Sequence, residues 1–139
     1  MAVRLGIVVS RFNEELTARL LERARAEAER LGAQSSVVSV PGALEIPLAL
    51  RWLADSGRYD ALVAIGAVIR GDTYHFEVVA NESARGVSEV SLESGLPIAN
   101  AILTLNGEAE AMQRIDKGAE GVRVAVEMAK LKASLHEDR

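Results

Sequence analysis

The chain has 139 residues, no cysteine, a formal net charge of −4 and a hydrophobic fraction of 49%. These values predict one globular domain over residues 1–139, and they exclude disulfides, thiolate metal sites and a cysteine nucleophile. The acidic balance, the lack of a long apolar run and the absence of a leader-like start argue against nucleic-acid and membrane partners and predict a cytoplasmic protein.

Apolar runs alternate with amphipathic stretches along the chain. Short apolar runs predict buried strands, and leucine and alanine at helical spacing predict helices. In chain order we predict a strand over 3–9, a helix capped by Asn13 and ended by Gly32, a strand over 36–40, a helix over 43–54, a strand over 61–68, a helix over 74–94, a strand over 97–105, and a helix over 108–134 with a kink near 116–118.

Four strand–helix units in a row predict parallel strands joined by right-handed crossovers. The expected fold is α/β, a three-layer sandwich whose four-stranded parallel sheet has flavodoxin-like topology and helices on both faces. Ligands of such sheets bind at the carboxyl ends of the strands. The unusual loops of this chain all follow strands, so we expect the functional site there.

Two of these loops contain residues suited to binding a ligand. One has an aromatic ring, and the other has small residues that let a ligand come close to the backbone. Phe12 follows the first strand directly and either returns to the core or forms a platform that stacks on a heterocycle. Gly42 and Ala43 are small enough to let backbone amides approach a ligand. Glu45 lies in a first helical turn, where it either complements the helix dipole or accepts hydrogen bonds from ligand hydroxyls.

The loop between the third strand and its helix predicts an anion site. It contains Gly71 and leads into a helix N-terminus, where free N–H groups favour negative charge. The segment over 66–76 lacks the nucleotide P-loop and dinucleotide motifs, so a single small phosphate suits it better. His75, at the helix start, is either structural or a group that exchanges protons near neutral pH.

A cationic pair lies late in the chain. Arg114 follows Glu110 by four residues, so a surface ion pair is the default interpretation. As a functional group, the Arg114 guanidinium would bind a phosphate through two parallel hydrogen bonds. Lys117 is close enough in sequence to act beside it.

Taken together, these segments resemble the lumazine synthase family of riboflavin biosynthesis, and the match covers nearly the whole chain. The short region between Arg114 and Lys117 is similar to that of archaeal members. Six motifs in the family's order make the resemblance specific. They are SRFN at 10–13, VPGALEIP at 40–47, GAVIRGDTYH at 66–75, NESA at 81–84, PIANAILT at 97–104, and Arg114 with Lys117-Gly118.

The resemblance implies one site for a pyrimidine with its ribityl chain and a second for a phosphate, with His75 as the acid/base. The phosphate site would comprise Gly71, Asp72, Thr73 and, from an adjacent subunit, Arg114. The pyrimidine and ribityl site would comprise Phe12, Ala43, Leu44, Glu45, Val68, Ile69, Asn100 and Lys117.

The implied reaction joins 5-amino-6-(D-ribitylamino)uracil to 3,4-dihydroxy-2-butanone 4-phosphate without a cofactor or metal. The substrate amine attacks the ketone, phosphate is eliminated, and ring closure releases water. The family also implies a homopentamer with active sites between subunits, and some members close into shells of 60 subunits.

This sequence departs from the family pattern in two further places. Many members have an aromatic residue where Asn100 stands, and it stacks on the ligand of a neighbouring subunit. Many also have an additional N-terminal strand, which joins a neighbour's sheet, whereas this sequence begins almost at its first strand.

Three alternatives remain at this stage. An archaeal-type riboflavin synthase would dismutate lumazine, but the GAVIRGDTYH loop and Glu45 favour the lumazine synthase. A non-catalytic flavodoxin-like signalling domain would need acidic residues at the first strand's end, where Ser10, Arg11 and Phe12 stand. A lumazine- or flavin-binding storage protein would bind ligand without turnover.

Overall fold

The computed structural model describes residues 2–137. Strands and helices alternate throughout, as the sequence predicts. The elements are β1 (Arg4–Ser10), α1 (Glu14–Arg30), β2 (Gln34–Val40), a 3-10 turn (Ala43–Glu45), α2 (Ile46–Asp55), β3 (Ala61–Ile69), α3 (His75–Ser94), β4 (Ile98–Leu105), a longer 3-10 segment (Glu108–Arg114) and α4 (Lys117–Glu137).

The four strands form one parallel sheet in the order β2-β1-β3-β4. Helices α1 and α4 pack on one face, and α2 and α3 pack on the other. The continuous apolar run of β3 fits its central place, because a strand covered on both faces has no solvent side. The predicted three-layer α/β fold with flavodoxin-like topology is confirmed.

Each face of the sheet has its own core. Leu20 and Val122 are fully buried in the core on the α1–α4 side. Ile46 and Leu50 are fully buried in the core on the α2–α3 side. Burial of such side chains stabilises the fold by about 1.5–3 kcal/mol each. Among the helices within residues 2–137, none combines the length and apolar character needed to cross a bilayer.

The structure corrects two predictions about helix ends. The Asn13 side chain does not cap α1, because the residue adopts a left-handed backbone with φ 62° and its Nδ2 donates to the carbonyl of Ala67 at 3.2 Å. The helix predicted over 108–134 with a kink near 116–118 does break at that place, but Glu108–Arg114 is a 3-10 segment rather than α-helix. Gly118, at the start of α4, packs so closely on α1 that an added Cβ would meet the Leu20 carbonyl oxygen, and Ala111 and Ile115 before it are buried.

A buried carboxylate joins α1 to α4. Glu27 is 8% exposed and accepts hydrogen bonds from Arg30 (Nε at 2.8 Å) and Arg123 (Nη1 at 3.3 Å). These hydrogen bonds, that from Arg30 foremost, lower the pKa of Glu27 from 4.5 to about 2, although burial opposes the shift. The carboxylate is therefore charged in the folded protein down to low pH.

We expect this carboxylate to make stability depend on acid. Since its folded pKa lies below its unfolded value, its contribution is complete above about pH 4.5 and is lost as pH falls toward 2. Urea unfolding from pH 7 to pH 3 should show a shallower decline for Glu27→Gln than for the unaltered chain. The exposed neighbour variant Glu29→Gln should keep the original slope, and equal slopes for both variants would contradict the prediction.

Candidate active site

A cleft of about 370 Å³ opens at the carboxyl ends of β1 and β3, beside the N-terminus of α3. We call it the site cleft. It gathers most of the residues that the sequence marks as a binding site, drawn from three separate segments of the chain. Its lining comprises Phe12, Asn13, Gly42, Ala43, Leu44, Glu45, Ala67, Val68, Ile69, Gly71, Thr73, His75, Phe76 and Val79.

Phe12 presents its ring to this cleft. Its side chain is 71% exposed, so the alternative in which it returns to the core is wrong. The backbone N–H groups of Arg11 and Phe12 donate to the carbonyls of Val40 (2.9 Å) and Pro41 (3.0 Å). The Asn13 side chain holds the other side of the turn through Ala67. These bonds to both neighbouring strand ends fix the turn that carries the Phe12 ring beside the cleft, and its role as a stacking platform stays a prediction.

The turn after β2 supplies the second wall. Ala43 is 5% exposed and faces the cleft, which leaves no bulky side chain between ligand and backbone. Glu45 lines the cleft while its Oε1 accepts a hydrogen bond from the N–H of Gly42 at 2.8 Å. Glu45 therefore has a structural role in the short 3-10 turn, and because it also faces the cleft, its binding of ligand hydroxyls stays a prediction.

The anion loop (residues 70–74) forms the third wall. Within residues 2–137, no hydrogen-bond acceptor is found for the backbone N–H groups of Gly71, Asp72 or Thr73. Thr73 Oγ1 accepts from the N–H of His75 at 3.3 Å, where the 20-residue helix α3 begins. Free amides and a helix N-terminus at one place favour an anion. Asp72 does not line the cleft, although its neighbours Gly71 and Thr73 do.

The cleft lining is poor in positive charge. His75 lies exposed at its rim, and no lysine or arginine lines it among the described residues. No group of three or more histidine, cysteine, aspartate or glutamate side chains within residues 2–137 could hold a metal ion. A doubly charged phosphate in this cleft would contact backbone amides and the positive end of a helix dipole. Among the described residues it would contact no lysine or arginine side chain, since Arg114 does not line the cleft.

The remaining predicted residues lie elsewhere on the same chain. Asn100, Arg114 and Lys117 line a groove of about 730 Å³ along the open edge of β4, which we call the edge groove. Within residues 2–137, no residue lines both cavities. One chain therefore brings the predicted site together only in part.

Local partners hold each of these three side chains. Arg114 Nη2 lies 3.7 Å from Glu110 Oε2, which is the default surface pair expected from the sequence. Lys117 Nζ lies 3.2 Å from Glu120 Oε1, and Asn100 Oδ1 accepts from the N–H of Ile102 at 2.9 Å. Arg114 is mainly exposed, at 58% of its side chain.

Sequence reasoning missed several cleft residues. Asn13 and Phe76 stand within the motifs at 10–13 and 66–76, yet neither was expected to line a site. Val79, one helical turn after His75, lines the same wall. The signal for Val79 was its i+4 spacing from His75, whereas the Asn13 contact with Ala67 depends on a strand far away in sequence.

The parallel sheet, with a ligand-sized cleft at its switch point, defines a flavodoxin-like α/β protein. Comparison with known proteins narrows that class, because the family model for 6,7-dimethyl-8-ribityllumazine synthase matches residues 2–133. The chain belongs to that family. The resemblance seen in the sequence is thereby confirmed, as is its assignment as a transferase of riboflavin biosynthesis.

Curated relatives agree with the family match. Proteins named 6,7-dimethyl-8-ribityllumazine synthase are 56% identical in Nitrosomonas europaea (96% of this chain, 84% of that one), 54% in Burkholderia vietnamiensis (96% and 81%) and 52% in Paraburkholderia phymatum (97% and 81%). A solved ABC domain in complex with L-Trp from Streptococcus pneumonia matches at TM-score 0.46 and 19% identity, over 92% of this chain and 40% of that one. That likeness is too distant to bear on function.

Proposed function

We propose that this chain condenses 5-amino-6-(D-ribitylamino)uracil with 3,4-dihydroxy-2-butanone 4-phosphate. The products are 6,7-dimethyl-8-ribityllumazine, phosphate and water, in the penultimate step of riboflavin biosynthesis. The observation that carries the proposal is the site cleft, where Phe12, Glu45 and His75 meet the free amides of the anion loop. The name of the family and of its relatives supports the same product.

The cleft suits both substrates at once. The pyrimidine stacks on Phe12, with Val68 and Ile69 lining the ring, and such a stack contributes about 0.5–1.5 kcal/mol beyond buried area. The ribityl hydroxyls reach Glu45 past the small Ala43. Leu44, 42% exposed, covers the outer side of that wall.

The reaction needs no protein nucleophile. The pyrimidine 5-amino group attacks the ketone carbon and water leaves as the imine forms. Phosphate is then eliminated, and the resulting enol tautomerises to a second carbonyl. Attack by the ribityl-bearing nitrogen on that carbonyl closes the ring with loss of another water. His75 at the cleft rim moves protons in these steps, an effect worth about 10²–10⁴-fold. Holding the two substrates in reacting geometry contributes up to about 7–11 kcal/mol.

The phosphate needs a cation, and residues 2–137 of one chain bring no lysine or arginine to the cleft. We place the phosphate on Gly71 and Thr73 with the backbone of Asp72, and we assign the cation to Arg114 of an adjacent subunit. The edge groove of that neighbour would also bring Asn100 and Lys117 to the pyrimidine. This arrangement requires a ring in which each cleft faces the next edge groove, and we propose the homopentamer.

Some expectations extend beyond this geometry. Assembly of pentamers into a 60-subunit shell, as in some family members, stays a prediction for this chain. The cytoplasmic location and the closer likeness to archaeal members stay predictions as well.

Product formation tests the proposed activity directly. Purified protein given both substrates should release the lumazine and inorganic phosphate in equal amounts over many turnovers per subunit. Lumazine supplied alone should be left unchanged. Formation of riboflavin from lumazine alone would identify the riboflavin synthase instead, and a single equivalent of bound ligand without turnover would identify a storage protein.

A further inference from the structure

Arg70 stands at the base of the anion loop and joins three elements. Its Nη1 donates to Glu77 Oε1 on α3 at 2.6 Å, and its Nε donates to Asn106 Oδ1, just after β4, at 3.0 Å. Its guanidinium carbon lies 4.5 Å from the centroid of the Phe76 ring. Its backbone N–H donates to the Leu105 carbonyl at 2.7 Å.

These contacts matter because the anion loop has little structure of its own. The amides at 71–73 are without acceptors within residues 2–137, so the loop keeps its shape mainly through its two ends. His75 and Thr73 fix the end at α3. Arg70 fixes the other end, and it does so against both β4 and α3.

Arg70 also contacts a residue that lines the site cleft. Phe76 is half-buried and lines the cleft, with its ring against the Arg70 guanidinium. Arg70 itself does not line the cleft, and its charge is paired with Glu77. It is therefore placed to act through the loop and the Phe76 ring rather than by touching a ligand.

We propose that Arg70 is a positioning residue for the reaction, holding the anion loop and the Phe76 ring in the shape that receives the phosphoryl group. This inference rests on the proposed function. A guanidinium is required, because one group must donate to Asn106 and Glu77 while its carbon lies 4.5 Å from the centroid of the Phe76 ring. A lysine ammonium keeps the charge but not this geometry.

Steady-state kinetics for both substrates test the proposal. For Arg70→Ala we expect the KM for the sugar phosphate to rise roughly tenfold, with the KM for the pyrimidine changed less than about twofold, because the misplaced loop serves one substrate only. Asn106→Ala, which removes a neutral partner, should shift the same KM in the same direction. The matched control is Arg58→Ala, which removes a guanidinium 5.9 Å from the Tyr59 ring just before β3 and should change neither KM.

The Arg70→Lys variant distinguishes a positioning role of Arg70 from simple attraction between its charge and the phosphate. If Arg70 only attracted phosphate by its charge, Arg70→Lys would behave as the unaltered enzyme and Asn106→Ala would have no effect. That pair of results overturns the proposal, as does an unchanged or equally raised KM for both substrates in Arg70→Ala. Circular dichroism and light scattering check that each variant is folded. If Arg70→Ala is not folded, the KM values of Asn106→Ala test the proposal. An inactive unaltered enzyme would instead count against the proposed function.

Discussion

Replacing Arg114 with alanine is expected to raise the KM for the sugar phosphate about 10²-fold, the loss of roughly 2.7 kcal/mol that a charge-assisted, two-point contact provides. The pyrimidine KM should change less than about twofold, because that substrate carries no phosphate. The physical reason is the composition of the site cleft, which offers amides and a helix N-terminus but, among the described residues, no lysine or arginine. Initial rates with each substrate varied in turn measure both constants.

Two further variants sharpen this prediction. Arg114→Lys keeps the charge but loses the planar fork, so its sugar-phosphate KM should lie between those of the unaltered enzyme and Arg114→Ala. Arg51→Ala breaks an i,i+4 surface pair with Asp55 on α2 and a second surface pair with Glu93 on α3, and should change neither KM. A similar rise in both KM values for Arg114→Ala would mean that the residue supports the assembly or the fold rather than the phosphate.

The main architecture could be predicted because it follows from burial. The run over 61–68 has no polar face, so it has to be covered on both sides, and the structure places it at the centre of the sheet as β3. The end of the chain was harder. The sequence indicates a kink near 116–118, but apolar spacing alone does not show that residues 108–114 form a 3-10 segment or that Gly118 packs against the Leu20 carbonyl.

The site could be predicted where it depends on topology and not where it depends on distant contacts. Parallel strands end at one edge, so the segments around Phe12, Glu45 and His75 had to meet. The bond between Arg70 and Asn106 joins residues 36 positions apart, and no local pattern marks it. The spacing of residues along the sequence likewise does not show that Arg114 lies away from the cleft of its own chain, although the resemblance assigned that residue to an adjacent subunit.

The second prediction with a large expected effect concerns the separation of Arg114 from the site cleft within one chain. If every active site combines the cleft of one subunit with the edge groove of the next, two inactive variants should restore each other. One is Phe12→Ala with His75→Ala, which damages only the cleft, and the other is Arg114→Ala, which damages only the groove. At low sugar-phosphate concentration each variant alone should retain roughly 1% of the activity of the unaltered enzyme.

Mixed assemblies of these two variants are the direct measurement. Co-expression with two different tags and tandem purification would isolate rings that contain both chains. With random mixing at equal amounts, about a quarter of the interfaces pair an intact cleft with an intact edge groove, so activity should recover to about a quarter of the unaltered value. Activity that stays near 1% in purified mixed rings, or chains that never purify together, would contradict an active site shared between subunits.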